Sequence, residues 1–120
     1  MKIAITSRGE TKGSEVDPRF GRAGYVIIFD TDTGESRAID NRINVNAMQG
    51  AGIQAAETVA REGIEVVVTG HCGPKAFRTL RAAGITVVVG ASGTVEEALK
   101  RYQNGELTET EGPDVEGHWA

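Results

Sequence analysis

The feature that most constrains the fold is Ile64-Glu65-Val66-Val67-Val68-Thr69, an apolar run bounded by Gly63 and Gly70. A strand with one wet face alternates apolar and polar residues, whereas so continuous a run reads as a strand covered on both faces. Helical spacing precedes it: Ile53, Ala56, Val59 and Ala60 recur on one face over about residues 50–62, and Gly63 follows as the stop. A second unit of the same kind comes after it. Pro74 opens a helix where proline's missing N–H costs nothing, Ala76, Phe77, Leu80 and Ala83 mark its inner face, Gly84 ends it, and Ile85 to Val89 is the next strand.

Upstream, Lys2 to Thr6 and Gly24 to Asp30 read as strands, and the turn Thr31-Asp32-Thr33-Gly34 folds Glu35 to Asp40 back as a third. Downstream, Thr94 with Glu97 three residues later is a capping box that opens a third helix, running to about Asn104. The order is therefore β-β-β-α-β-α-β-α, an α/β fold. With right-handed crossovers the simplest sheet order is 3-2-1-4-5, strand two antiparallel to the rest, with helices one and two on one face and helix three on the other. Residues 1–107 form one domain, and the polar stretch 108–120 is expected to be a flexible tail.

Composition narrows the class of function. One cysteine, Cys72, excludes an internal disulfide framework and any all-cysteine metal site within one chain. No stretch approaches the length of a membrane span and no cleavage site follows the start, which places the chain in the cytoplasm, away from the membrane. The net charge of −4 argues against nucleic acid as a partner, since such binding rests on many lysine and arginine contacts. Distribution qualifies the sum: Arg8, Lys12, Arg19 and Arg22 lie in one early stretch, while Glu106, Glu109, Glu111, Asp114 and Glu116 load the end.

In the expected sheet, strands one and four lie side by side and parallel, and open α/β sheets bind ligands at the carboxyl ends of such strands. Two loops leave those ends. The long one, Ser7 to Ala23, carries Asp17-Pro18-Arg19-Phe20-Gly21-Arg22; loops above about 12 residues are uncommon in compact domains unless functional or disordered. The short one, Gly70-His71-Cys72-Gly73-Pro74, delivers the free N–H groups of helix two with Lys75 beside them, an arrangement that favours an anion. Arg19 and Arg22 suit an oxyanion or sulfide edge, and Phe20 suits an apolar wall. His71 and Cys72 offer soft contacts suited to copper(I), and Met48 reaches toward the same mouth from the loop before helix one. The bland readings stand beside these: Cys72, Phe20 and Met48 as packing residues, and an arginine paired with Asp17 or Glu15.

Other patterns fail on spacing. Gly50-Ala51-Gly52-Ile53-Gln54-Ala55 matches G-x-G-x-x-A but starts some nine residues past the strand, and Gly70 to Lys75 lacks both P-loop spacing and a following serine or threonine. No base other than the adjacent His71 stands near Cys72 in sequence, so no catalytic constellation is expected and the chain reads as a non-enzyme.

Taken together, Val16-Asp17-Pro18-Arg19-Phe20-Gly21-Arg22-Ala23, Gly50-Ala51-Gly52, Val68-Thr69-Gly70, Gly73-Pro74-Lys75-Ala76 with Leu80, and Gly93-Thr94-Val95-Glu96-Glu97-Ala98-Leu99 resemble the dinitrogenase iron-molybdenum cofactor biosynthesis family over about residues 1–107. That family includes nitrogenase accessory proteins and the small orange proteins of sulfate-reducing bacteria, and this short form is most similar to the latter branch. The resemblance implies a ribonuclease-H-like three-layer fold without nuclease activity. It also implies a carrier of an anionic metal-sulfur cluster: a molybdenum-copper sulfide cluster, or a precursor of iron-molybdenum cofactor. His71-Cys72 departs from the blander residues expected at that point of the family pattern. Two further readings remain open here, a small nucleotide- or anion-binding enzyme or sensor, and an interaction module for an acidic protein of cluster delivery or cell division.

Overall fold

The computed structural model describes residues 1–42 and 50–112. Five strands form one sheet: β1 (Lys2–Ser7), β2 (Tyr25–Asp30), β3 (Ser36–Asp40), β4 (Val66–Val68) and β5 (Thr86–Val88). Among the described residues three helices complete it: α1 (Ala51–Arg61), α2 (Pro74–Ala82) and α3 (Val95–Gln103). The sheet order is β3-β2-β1-β4-β5, with β2 antiparallel to both its neighbours and β1, β4 and β5 mutually parallel.

The pleat sorts the strand residues onto two faces, as alternation of side chains requires. Ala4, Val26, Ile28, Val67 and Val87 meet Ala55, Ala56 and Val59 of α1 and Ala76, Phe77 and Leu80 of α2. Ile3, Ile5, Ile27, Val66, Val68 and Val88 meet Val95, Ala98 and Leu99 of α3. The fold is therefore three-layered, with two helices on one face and one on the other, and the central strands carry apolar side chains on both sides because both sides are covered.

Helix ends follow local chemistry. The capping box of α3 is complete: Glu97 N–H donates to Thr94 Oγ1 at 3.1 Å, and Thr94 N–H to Glu97 Oε1 at 2.9 Å. These bonds hold the Glu97 carboxyl below its ordinary range. At the end of β3, Arg42 grips the Asp40 carboxylate through its backbone N–H, Nε and Nη2, lowering Asp40 to about 2. Across the outer strand, Arg37 pairs with Glu62 just beyond α1.

Two details depart from expectation. Strands β4 and β5 are short, three residues each; just past their carboxyl ends Thr69 N–H still donates to Val88 O at 2.9 Å, and Ala91 N–H donates to Thr69 O at 3.1 Å. Glu109 and Thr110, inside the stretch expected to be free, lie along the β5 edge: Glu109 bridges Val88, and Thr110 N–H donates to Val87 O at 2.8 Å. An edge strand presents unpaired amides and carbonyls, and this short pairing covers part of that edge. The remainder of the expected tail, residues 113–120, lies outside the described residues.

The loops that leave β1 and β4 press together at Gly70. A Cβ added there would lie 2.7 Å from Pro18 Cα and 2.8 Å from Pro18 O, contacts no side-chain carbon tolerates.

Thr94→Ala should lower stability by about 1 kcal/mol in urea unfolding, with the denaturant slope unchanged. The capping box also carries a pH signature: with Glu97 lowered in the folded state, the stability its charge adds is present above its ordinary value of 4.5 and lost as pH falls through the lowered one. The midpoint difference between wild type and Glu97→Gln should therefore close at acid pH. Gly70→Ala should cost about 1 to 3 kcal/mol by forcing the loops apart. Gly13→Ala, whose Cβ would meet only Thr11 Oγ1 at 3.8 Å, should leave the unfolding midpoint in place.

Candidate functional site

The crevice at the carboxyl ends of β1 and β4 is built by backbone before any side chain enters it. Arg19 and His71 form a parallel bridge: His71 N–H donates to Pro18 O at 2.6 Å and Phe20 N–H to His71 O at 3.1 Å. The long loop is thereby stitched to the short one as though it were another strand. Beneath them two threonines close the gap between β1 and the β4 loop: Thr6 Oγ1 meets Thr69 Oγ1 at 2.7 Å and bonds Asp17 O at 2.7 Å, while Asp17 N–H donates to Thr6 O at 3.1 Å. Both threonines are buried, and the shared hydroxyls satisfy polar groups that would otherwise be costly to remove from water.

Arg19 stands outward, its side chain 51% exposed, with Nε 3.8 Å from Asp17 Oδ1. Arg22 is half-buried, on a segment gripped from behind. Gly21 takes a left-handed φ of 95°, and a Cβ there would lie 2.6 Å from Gly52 Cα, so the loop backbone rests directly on the first turn of α1. Gly50 is the N-cap of that helix. The glycine pattern that imitates a dinucleotide fingerprint is thus a packing device between a helix and a loop. Asn41 completes the grip: it is 2% exposed, and its Nδ2 donates to Ala23 O at 2.8 Å and Gly21 O at 3.4 Å, the two carbonyls either side of Arg22.

The short loop delivers α2 as expected. Gly73 is its N-cap, contributing no side chain to the capping positions; Pro74 opens the helix, and its first turn contains no acid. Phe77 N–H makes the first helical bond, to Gly73 O, and the amides of Lys75 and Ala76 precede it without an acceptor among the described residues. Lys75 is exposed beside them and His71 is half-buried.

Two expected site residues lie in the core. Phe20 is 1% exposed and Cys72 fully buried, both in the core cluster with Ala76 and Phe77. The backbone bond from Phe20 to His71 turns the phenyl inward. The Cys72 thiol lies 3.7 Å from Gly73 O within the core, so the loop shows no thiolate surface to a ligand here. Met48 lies outside the described residues. Among the described residues no three histidine, cysteine, aspartate or glutamate side chains gather in a way that could hold a metal ion. The donors that the described residues bring to this crevice include Arg19, Arg22, Lys75 and the first amides of α2. A shallow concavity of about 230 Å³ lined by Lys2, Asp30, Glu35 and Arg37 lies at the opposite end of the sheet and mixes charges of both signs.

Thr6, Thr69 and Asn41 were not anticipated. Hydroxyls at strand ends and an asparagine after a strand are ordinary turn signals, and only the loop packing reveals their use.

The fold recurs in known proteins. A family model described as dinitrogenase iron-molybdenum cofactor matches residues 1–105. The apo orange protein of Desulfovibrio gigas is 40% identical with a TM-score of 0.92, over 95% of this chain and 96% of that one. A Thermotoga protein of the DUF35 family, determined by NMR, is 34% identical with a TM-score of 0.82, over 95% and 98%. A protein of Methanocaldococcus jannaschii is 27% identical over 92% of both chains. With the family model spanning nearly all of the described fold and two structural relatives above 30% identity, the chain belongs to the dinitrogenase iron-molybdenum cofactor family.

Proposed function

We propose that this protein is a cytoplasmic carrier or store, not an enzyme, that holds an anionic metal-sulfur cluster at the β1–β4 crevice. The observation that carries the reading is the Arg19–His71 bridge, which joins the arginine-bearing loop to the loop that opens α2. Arg19, Arg22 and Lys75 supply positive charge, and the first amides of α2 supply oriented donors with no acid in the helix's first turn. Family membership supports a cofactor-related role. Similarity to the orange protein supports the finer choice, a molybdenum-copper sulfide cluster, over an iron-molybdenum cofactor precursor. His71 is the half-buried soft donor of the loop, whereas Cys72 is enclosed.

Holding a cluster this way needs no deprotonated cage. Charge-assisted hydrogen bonds are stronger than neutral ones and still reversible, so the same arginines that hold the cargo can yield it to an acceptor protein. The expected partners are therefore the cluster itself and a protein of cluster delivery or cell division, with no role for nucleic acid or membrane. Among the described residues no helix is long and apolar enough to cross a membrane.

Titrating the apo protein with tetrathiomolybdate and copper(I) should produce a saturable visible band that requires the protein. Arg19→Ala and Arg22→Ala should each weaken uptake about tenfold, as expected for loss of one charge-assisted contact. Cys72→Ser should leave uptake near the wild-type level, because the thiol is enclosed, while lowering the unfolding midpoint. Absence of a protein-dependent band, or a band indifferent to both arginines, would sink the carrier reading and favour a nucleotide ligand or a protein partner instead.

A further inference from the structure

We propose that Asp17 is a positioning residue for this site: its carboxylate fixes Arg19 so that the two Nη nitrogens are presented to the anion. The inference rests on the carrier reading and adds the device that orients its principal cation.

The starting point is a conflict of sign. Asp17 is 7% exposed and sits where the site should favour negative charge in a ligand, not in the protein. A carboxylate there opposes anion binding by simple repulsion, and burying it costs solvation besides. Something must offset both, and the geometry supplies it. Asp17 is bonded to β1 at both its N–H and its carbonyl, and through Thr6 to Thr69, so its backbone is fixed to two adjacent strands. Its Oδ1 accepts the Arg19 N–H at 3.1 Å and lies 3.8 Å from Arg19 Nε.

Between the two residues Pro18 locks one backbone torsion, and His71 N–H pins the Pro18 carbonyl at 2.6 Å. Gly70 packs directly against the same proline. Arg19 therefore hangs from a rigid post by its backbone N–H, with the inner nitrogen of its guanidinium in ion-pair range of the same carboxylate oxygen. No acceptor among the described residues meets its Nη atoms. An arginine held by Nε keeps the outer fork, the pair of donors that fits a planar or two-atom anionic edge. Ordering the side chain before the ligand arrives removes rotamer entropy that binding would otherwise have to overcome.

Positioning and electrostatics predict opposite outcomes for one isosteric change. Asp17→Asn keeps an oxygen for the Arg19 N–H but removes the charge that holds Nε. On charge alone the crevice becomes more positive and tetrathiomolybdate binds more tightly. If Asp17 positions Arg19, binding weakens, by about fivefold, the size expected for one exposed ion pair. In an Arg19→Ala background nothing remains to be positioned, and the same Asp17→Asn change should then tighten binding.

The measurement is tetrathiomolybdate affinity for the full-length chain and its Asp17→Asn, Arg19→Ala and double variants, with the Arg19 Nε–H resonance followed by NMR in the ligand-free protein. Weakening that reverses sign in the double variant, with a shifted Nε–H resonance, supports the proposal. Tighter binding by Asp17→Asn alone, or the same weakening in both backgrounds, overturns it. Arg19→Lys is a second line that leaves Asp17 in place: it keeps the charge, lacks the Nε–H, and should weaken binding about as much as Asp17→Asn. If the wild type takes up no tetrathiomolybdate, the carrier reading fails, and the Nε–H resonance still decides whether Asp17 holds Arg19: movement on Asp17→Asn supports the clamp, and no movement overturns it.

Discussion

The candidate site depends on one backbone exchange, the pairing of Pro18 to Phe20 with His71. Remove it and the loop from β1 is a long excursion with three arginines and no backbone bond to the loop that opens α2. With it, the loop becomes an extra strand segment laid across the end of the sheet, and each side chain on it inherits a direction. Phe20 turns into the core while Arg19 turns to solvent, the alternation expected of extended backbone. The Pro18–Gly70 contact and the Thr6–Thr69 hydroxyl pair make the exchange hard to slide, because each fills space or satisfies hydrogen bonds at one register only.

That dependence explains what could be read from the residues and what could not. Val66-Val67-Val68 and the Thr94–Glu97 box declare themselves through local rules, two-sided burial and reciprocal capping, and the sheet order follows from connection rules once those elements are placed. The site is assembled from contacts far apart in sequence. Gly21 and Gly52, Thr6 and Thr69, and Asn41 with the carbonyls of Gly21 and Ala23 have no periodic signature. Phe20 and Cys72 mislead for the same reason. Their neighbours are glycine, proline and charge, which marks a loop correctly but says nothing about which way a loop side chain points once its backbone is paired.

The polar groups of this loop are handled in two distinct ways, and the difference is informative. Those facing the sheet are partnered: Thr6, Thr69, Asp17 and Asn41 all have hydrogen-bonded partners inside the protein. Arg19 is held at its root, and its tip meets no acceptor among the described residues. A purely structural arginine would be expected to commit its fork to a carboxylate or to carbonyls, as Arg42 does with Asp40 through three of its nitrogens.

The two helix N-termini give the same contrast within one chain. At α3 the opening amides are fully used: Thr94 and Glu97 bond each other, Val95 N–H donates to Ser14 O and Glu96 N–H to Lys12 O, each at 2.9 Å, and Glu96 and Glu97 add acid where the helix dipole favours it. At α2 there is no side-chain cap and no acid, and a lysine occupies the first turn, where a cation opposes the dipole. A helix optimised only for its own stability would be arranged like α3. Lys75 and the α2 amides, which meet no acceptor among the described residues, are unfavourable neighbours until an anion lies between them, at which point the same charges that repel each other both attract the ligand.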